Sequence, residues 1–225
     1  MSSPAPPGAG PPYREIAMNA PSLGFLHRFV PGGMPERAPL LLLHGTGGNE
    51  TDLLPLGEAL APGAALLSPR GPVLENGMPR FFRRLAEGVF DEEDVRRRAG
   101  ELADFVSDAR AAYGLAAPVA VGFSNGANIA AALLLLQPEA LSGAVLLRPM
   151  LPLTATSPVD LGGRPVLMLS GLADPIVPAA NAGALAERLR GHGGHVAHET
   201  LPAGHGLTQA DVERSAGWIA RHFPA

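Results

Sequence analysis

Val119-Ala120-Val121-Gly122-Phe123-Ser124-Asn125-Gly126-Ala127-Asn128-Ile129 carries the chain from a short apolar segment of β character into an alanine-rich helical one, with a serine at the pivot and a glycine two places to either side. On so sharp a strand-to-helix turn the serine backbone is strained and its hydroxyl is pushed outward. Any side chain at Gly122 or Gly126 would collide with the neighbouring strand or helix. With 28 glycines in 225 residues, such a pattern arises by chance too readily to count without its context. Here Pro118 closes a loop before the apolar segment, and Ala127, Ile129, Ala130, Ala131, Ala132, Leu133 and Leu134 suit a buried helix stopped by Pro138. The bland alternative is a glycine-bounded turn with an incidental serine.

Upstream of the elbow, residues 23–30 alternate loosely and end at Pro31-Gly32-Gly33, an edge strand and its turn. Pro39-Leu40-Leu41-Leu42-Leu43 is apolar throughout, as a strand covered on both faces in the middle of a parallel sheet must be. The loop His44-Gly45-Thr46-Gly47-Gly48-Asn49 follows it, at the carboxyl end where open α/β sheets place their ligands. Such a loop can cradle a phosphate or offer backbone N–H groups to an oxyanion. It lacks the lysine of a nucleotide loop and the spacing of a dinucleotide fingerprint, so the oxyanion reading holds if Ser124 is nearby. A helix over residues 52–60 and a buried strand over 64–68 come next. Asp91 caps a long helix in which Val95, Ala99, Leu102, Val106, Ala109 and Tyr113 form one apolar stripe, leaving Arg96, Arg97 and Arg98 on its solvated face.

Beyond the elbow, residues 141–147 and 165–170 read as strands, joined by a Pro- and Thr-rich connection too short for a cap domain, which predicts a shallow, open site. A helix over 179–190, a strand over 195–201 and a last helix follow, with Thr208 and Asp211 as its capping pair and Val212, Ala216, Ile219 and Phe223 as its stripe. Strands alternating with helices predict an α/β fold with a mostly parallel central sheet flanked by helices and no separate lid domain.

A chain of 225 residues buries about 70% of its unfolded surface as one domain, expected here over residues 15–225 after a disordered lead at 1–14. That lead has neither a basic start nor an apolar run, so a signal peptide is not expected, nor is a membrane span, and a cytoplasmic location is the simplest inference. Net charge is −4, from 17 Lys+Arg against 21 Asp+Glu, which gives no reason to expect a nucleic-acid partner. The absence of cysteine excludes disulfides, thiolate metal sites and a cysteine nucleophile.

A serine hydroxyl needs a base to take its proton as it attacks, and neutral imidazole is the usual one near pH 7. On elbows of this kind the partners follow in the order serine, acid, histidine, from loops at the carboxyl ends of strands. Of the seven histidines, His205 meets both conditions. His44 precedes the serine and is expected to order the glycine loop, while His27 and His222 read as ordinary surface or edge residues. His192, His195 and His198 are spaced three apart, but Gly191, Gly193 and Gly194 argue against a helix there and a strand would alternate their faces, so no metal site is expected. Asp174 follows a strand and can orient the imidazole; Asp160 precedes that strand and lies at its wrong end. The candidate triad is Ser124, Asp174 and His205, with the backbone N–H groups of Thr46 and Asn125 as oxyanion donors.

These residues, with Phe82-Arg83-Arg84-Leu85-Ala86-Glu87-Gly88-Val89-Phe90-Asp91 and Gly171-Leu172-Ala173-Asp174-Pro175-Ile176-Val177-Pro178, resemble the phospholipase/carboxylesterase branch of the α/β-hydrolases over nearly the whole chain. Asn125 stands where the acyl-protein thioesterases of that branch carry glutamine, which makes the small bacterial cytosolic esterases the closer fit. The resemblance implies a serine carboxylesterase acting on a small-molecule ester with a short acyl chain, without cofactor, and often as a homodimer. Thioesterase or lysophospholipase activity on the same triad is the alternative, and a non-catalytic binding protein on the same fold is the rival of another class. Phe82, Met150, Ile176 and Leu207 are candidates for the acyl pocket on adjacency alone. Because the base must be neutral, activity is expected to rise with pH through roughly 6 to 7.

Overall fold

The structure, a computed structural model, describes residues 23–225; the expected lead at 1–14 and the start of the domain at 15 lie outside the described residues. The chain opens with β1 (His27–Val30), β2 (Leu40–Leu43), α1 (Leu54–Leu60) and β3 (Leu66–Pro69). All four leucines of β2 are fully buried, Leu41 and Leu43 on one face of the sheet and Leu40 and Leu42 on the other. Each contributes about 1.5–3 kcal/mol by leaving water, which fixes β2 in the interior.

Four short strands follow that the sequence reading did not assign: β4 (Val73–Glu75), β5 (Met78–Arg80), β6 (Arg84–Ala86) and β7 (Val89–Phe90). They form two hairpins, the first turning at Asn76 and Gly77, both with positive φ. An Asn-Gly pair is the residue choice that such a two-residue turn demands.

Next come α2 (Glu92–Tyr113), β8 (Val119–Phe123), α3 (Asn125–Leu136), a 3₁₀ turn (Pro138–Ala140) and β9 (Gly143–Leu147). Asp91 caps α2 as expected, its carboxylate accepting from the Asp94 N–H at 3.1 Å. Arg97 and Arg98 both pair with the buried Asp94, and Arg98 also with Glu101. The chain ends with β10 (Pro165–Gly171), α4 (Ala179–Gly191), β11 (His195–Leu201) and α5 (Gln209–His222), the last opened by the Thr208–Asp211 capping box.

The seven-stranded sheet has the order β1-β3-β2-β8-β9-β10-β11, parallel throughout except for β1. Helices α2, α3 and α4 cover one face and α1 and α5 the other. The register pairs Leu43 with Gly122, Phe123 with Leu147, Leu147 with Leu169, and Gly171 with Leu201. That alignment delivers the loops after β2, β8, β9, β10 and β11 to one rim. The connection from β9 to β10 has no regular element and is tied sideways to α2 and α4, through Thr154 N–H to Glu92 (2.9 Å) and Arg188 to the Thr154 carbonyl (3.0 Å).

Candidate active site

Ser124 links β8 to α3 with φ 52° and ψ −113°, a backbone conformation that residues other than glycine rarely adopt. Its N–H donates to the Leu147 carbonyl at 2.8 Å and its carbonyl accepts from Asn128 N–H at 3.0 Å, so the neighbouring strand β9 and helix α3 hold the turn. The two flanking glycines are obligatory. A Cβ on Gly122 would lie 2.5 Å from the Gly126 carbonyl oxygen, and one on Gly126 only 1.9 Å from that of Leu43. The start of α3 therefore rests directly on the end of β2, which puts the serine beside the glycine loop.

Ser124 Oγ lies 3.0 Å from His205 Nε2, and His205 Nδ1 lies 2.8 Å from Asp174 Oδ2. Since an ionised carboxylate only accepts, Nδ1 carries the proton toward Asp174 and Nε2 is left to accept from the serine hydroxyl. The Asp174 side chain is wholly covered, while His205 is about a fifth exposed at 21%. Burial pushes the Asp174 carboxyl upward, but donation from Ile176 N–H (2.8 Å), His205 and Val177 N–H (3.1 Å) outweighs it and holds the group below the usual carboxylate range. The acid and histidine loops are joined by Ala173 N–H to the Ala203 carbonyl at 3.0 Å. Gly171 allows this approach, for a Cβ there would meet the Gly204 carbonyl oxygen at 2.4 Å.

Among the described residues, no hydrogen bond is seen from the backbone N–H of Thr46 or of Asn125. The segment from β5 to Phe81 braces both. Gly47 N–H donates to the Pro79 carbonyl (2.9 Å), Arg80 Nη1 to Thr46 Oγ1 (2.6 Å), and Phe81 N–H to Asn125 Oδ1 (2.7 Å). His44 orders the glycine loop as its place in the sequence suggests: Nδ1–H donates to the Gly45 carbonyl at 2.7 Å and Nε2 accepts from Gly71 N–H at 2.9 Å. Burial holds its pKa below 6.5, keeping the ring neutral.

Two of the four candidate pocket residues, Phe82 and Met150, share Phe90 as a neighbour, while Leu207 packs on the other face of the sheet. Phe82 is fully buried, edge-on to Phe90; Met150 packs with Val177 and Ala182; Leu207 belongs to the apolar cluster of Trp218 on the other face. Ile176, 38% exposed and next but one to Asp174, precedes Val177 of the Met150 group in the chain. Asp160 precedes β10 and accepts from Gly162 N–H at 2.8 Å, away from the triad. His27 meets Tyr113 Oη at 2.8 Å and His222 bonds the Trp218 carbonyl at 2.9 Å. His192 follows α4 and His195 and His198 lie on β11; among the described residues no three potential ligands converge on a metal position. A cavity of about 520 Å³ lined by Arg37, Tyr113 and Ser142 opens beside Pro39, Ala65 and Ala117, at the amino ends of the strands and across the sheet from the serine.

A family model described as Phospholipase/Carboxylesterase matches residues 27–223. The chain belongs to that family. MhqD, a protein of Bacillus subtilis (strain 168) whose name gives it as a hydrolase, is 47% identical over 181 residues, 80% of this chain and 90% of MhqD. A Bacillus cereus carboxylesterase of known crystal structure is 45% identical and superposes with a TM-score of 0.86, covering 94% of this chain and 98% of its own. A Mesorhizobium loti carboxylesterase is 33% identical with a TM-score of 0.84, covering 88% and 96%. The carboxylesterase-family chain thus has the α/β-hydrolase fold and is a hydrolase.

Sequence reading missed three groups at the site of this family member: Arg80, the Asn125 side chain and Arg148. Arg148 carried a visible signal, as a cation directly after the wholly apolar run Ala144-Val145-Leu146-Leu147 of β9.

Proposed function

We propose that this family member is a serine carboxylesterase that hydrolyses short-chain carboxylic esters through an acyl-enzyme intermediate. The observation that carries the reading is the unbroken hydrogen-bond chain from Ser124 Oγ through the His205 ring to Asp174, at 3.0 and 2.8 Å. Ser124 Oγ attacks the ester carbonyl while its proton passes to His205 Nε2, and Asp174 stabilises the imidazolium so formed. The carbonyl oxygen becomes an oxyanion, to which the Thr46 and Asn125 N–H groups donate in this reading. When the tetrahedral adduct collapses, the C–O bond to the alcohol breaks and His205 returns its proton to the leaving oxygen. Water, deprotonated by His205, then cleaves the acyl-serine ester, and Ser124 recovers its proton. The sequence of steps requires no cofactor. A small acyl group suits an open rim on which Leu172 is 77% exposed and the connection after β9 is fastened to the flank.

The test is covalent labelling by a fluorophosphonate together with hydrolysis of p-nitrophenyl esters of increasing chain length. Native protein is expected to be labelled stoichiometrically and to turn over acetate and butyrate esters fastest, whereas Ser124→Ala does neither. A native protein that resists the label overturns the reading. Faster turnover of an acyl thioester or a lysophospholipid than of every ester in the series would replace the substrate while keeping the triad.

A further inference from the structure

Arg148 follows β9 on the catalytic rim, yet its side chain is 0% exposed. Its backbone is left-handed (φ 56°), its N–H donates to the Leu169 carbonyl at 2.8 Å, and its side chain turns inward beneath the histidine loop. A guanidinium has five N–H donors, and here all five are used. Nε donates to the Gly204 carbonyl at 2.9 Å, and Nη2 to the Gly206 carbonyl at 3.2 Å. Nη1 donates to the Leu169 carbonyl at 3.2 Å, while Nη1 and Nη2 together form a fork on Asp211, at 2.7 and 2.9 Å. Asp211 is itself 1% exposed and also accepts from the Thr208 N–H and hydroxyl, both at 2.8 Å.

With no donor left over, this cation has nothing to offer a substrate carboxylate or an oxyanion. Its partners show its use. Gly204 and Gly206 are the residues on either side of His205, and glycines on both flanks leave the peptide planes free to rotate unless something grips them. We propose that Arg148 is the positioning residue of His205: it clamps the two carbonyls that bracket the imidazole and, through Asp211, anchors them to the first turn of α5. The clamp rests on the triad reading above. A displacement of about 1 Å between a nucleophile and its base costs about 100-fold in rate, so a loop held only by its ends would not keep Nε2 on the serine hydroxyl. Lysine cannot substitute, because a single ammonium has three donors and no planar fork to reach both carbonyls and the carboxylate.

The test compares native protein with Arg148→Met, Arg148→Lys and the double variant Arg148→Met, Asp211→Asn. The double variant leaves no uncompensated buried charge and keeps a carbonyl oxygen on residue 211 to cap α5. For each, the circular dichroism, the steady-state kcat and KM on a p-nitrophenyl ester, and the rate of fluorophosphonate labelling are measured, with the downfield proton resonance of the His205 Nδ1–H as a direct view of the loop. The double variant is expected to fold, with KM within threefold of native, kcat and labelling rate about 100-fold lower, and the Nδ1–H resonance broadened or lost. Arg148→Lys is expected to recover little of the rate. A folded double variant with native kcat and resonance overturns the assignment, and so does failure of the double variant to fold, which would make Arg148 a support of the whole domain. A native protein that resists labelling removes the triad reading itself; labelled native protein with an equally fast double variant removes only the clamp.

Discussion

Gly126→Ala sets two physical effects against each other, and the structure says which one wins. Gly126 lies in the first turn of α3, where alanine in place of glycine would favour the helix by about 1 kcal/mol on propensity alone. The added methyl, however, would sit 1.9 Å from the Leu43 carbonyl oxygen, 2.4 Å from its carbon and 2.7 Å from the His44 carbonyl oxygen. Real Cβ atoms do not come within 3.0 Å of such neighbours, so the gap between α3 and the end of β2 must open from 1.9 Å by about 1.1 Å. All three obstructing atoms are backbone, and none can swing aside. Overpacking of this kind costs about 1–3 kcal/mol, which leaves a net loss of up to about 2 kcal/mol after the propensity gain. The functional cost is larger, because the same opening separates the N–H of Asn125 on α3 from that of Thr46 in the loop after β2. A misplacement of about 1 Å in a preorganised site lowers the rate about 100-fold.

The assay is steady-state hydrolysis of a p-nitrophenyl ester with a thermal melt, and Gly183→Ala on α4 is the control, since a Cβ there meets nothing within 4 Å. The control is expected to keep native kcat and to melt slightly higher. Gly126→Ala is expected to lose about 100-fold in kcat and to melt several degrees lower, at about 2–4 °C per kcal/mol for a chain of this size. A Gly126→Ala protein with kcat within threefold of native would refute the idea that contact between α3 and β2 sets the oxyanion geometry.

Ser124→Gly and Ser124→Ala are both expected to abolish turnover, but glycine alone relieves the backbone at φ 52° and ψ −113°. Strain of this kind is worth about 1–3 kcal/mol against about 1 kcal/mol of glycine's extra chain entropy, so the Gly variant is expected to melt several degrees above the Ala variant; a lower melt would show that the elbow is unstrained. Stability is expected to fall in two stages on acidification. His44, held neutral below its ordinary 6.5 by burial, contributes fully above that pH and loses its share as the pH falls below it, because the unfolded chain then takes the proton more readily. Asp174 and Asp211 are held low by their donors against the opposing pull of burial, so their contribution is intact above the ordinary carboxylate value of 3.8 and is lost as the pH drops through their lower folded values. Melting curves from pH 8 to 2 follow both stages, and His44→Asn should shrink the first; an unchanged slope between pH 7 and 5 in that variant would exclude His44 as its source.

What could be read along the chain was whatever neighbouring residues settle among themselves. The leucines of β2 needed apolar cover on both faces wherever they went, Gly122 and Gly126 announced a close approach, and Thr208 with Asp211 closed a capping box four residues long. The order serine, acid, histidine, with each group just after a strand, put Ser124, Asp174 and His205 on one rim because parallel strands end on the same side. The two hairpins between Val73 and Phe90 escaped because strands of two or three residues are too short to show alternation, although Asn76-Gly77 marked the first turn.

Tertiary structure alone decided the strand order, the path of the rim loops and the contacts between positions that no local rule relates. Arg80 finds Thr46 across 34 residues of chain, Phe81 finds Asn125 across 44, and Arg148 finds Asp211 across 63. Asp211 shows the division within one residue. Its service as a helix cap is settled by the three residues before it, whereas its role as anchor for a buried guanidinium exists only because folding brings β9 under the loop that precedes α5. Short-range hydrogen bonds are constrained by the covalent chain and so leave a pattern in sequence; the long-range ones that set the site's geometry are chosen by packing and do not.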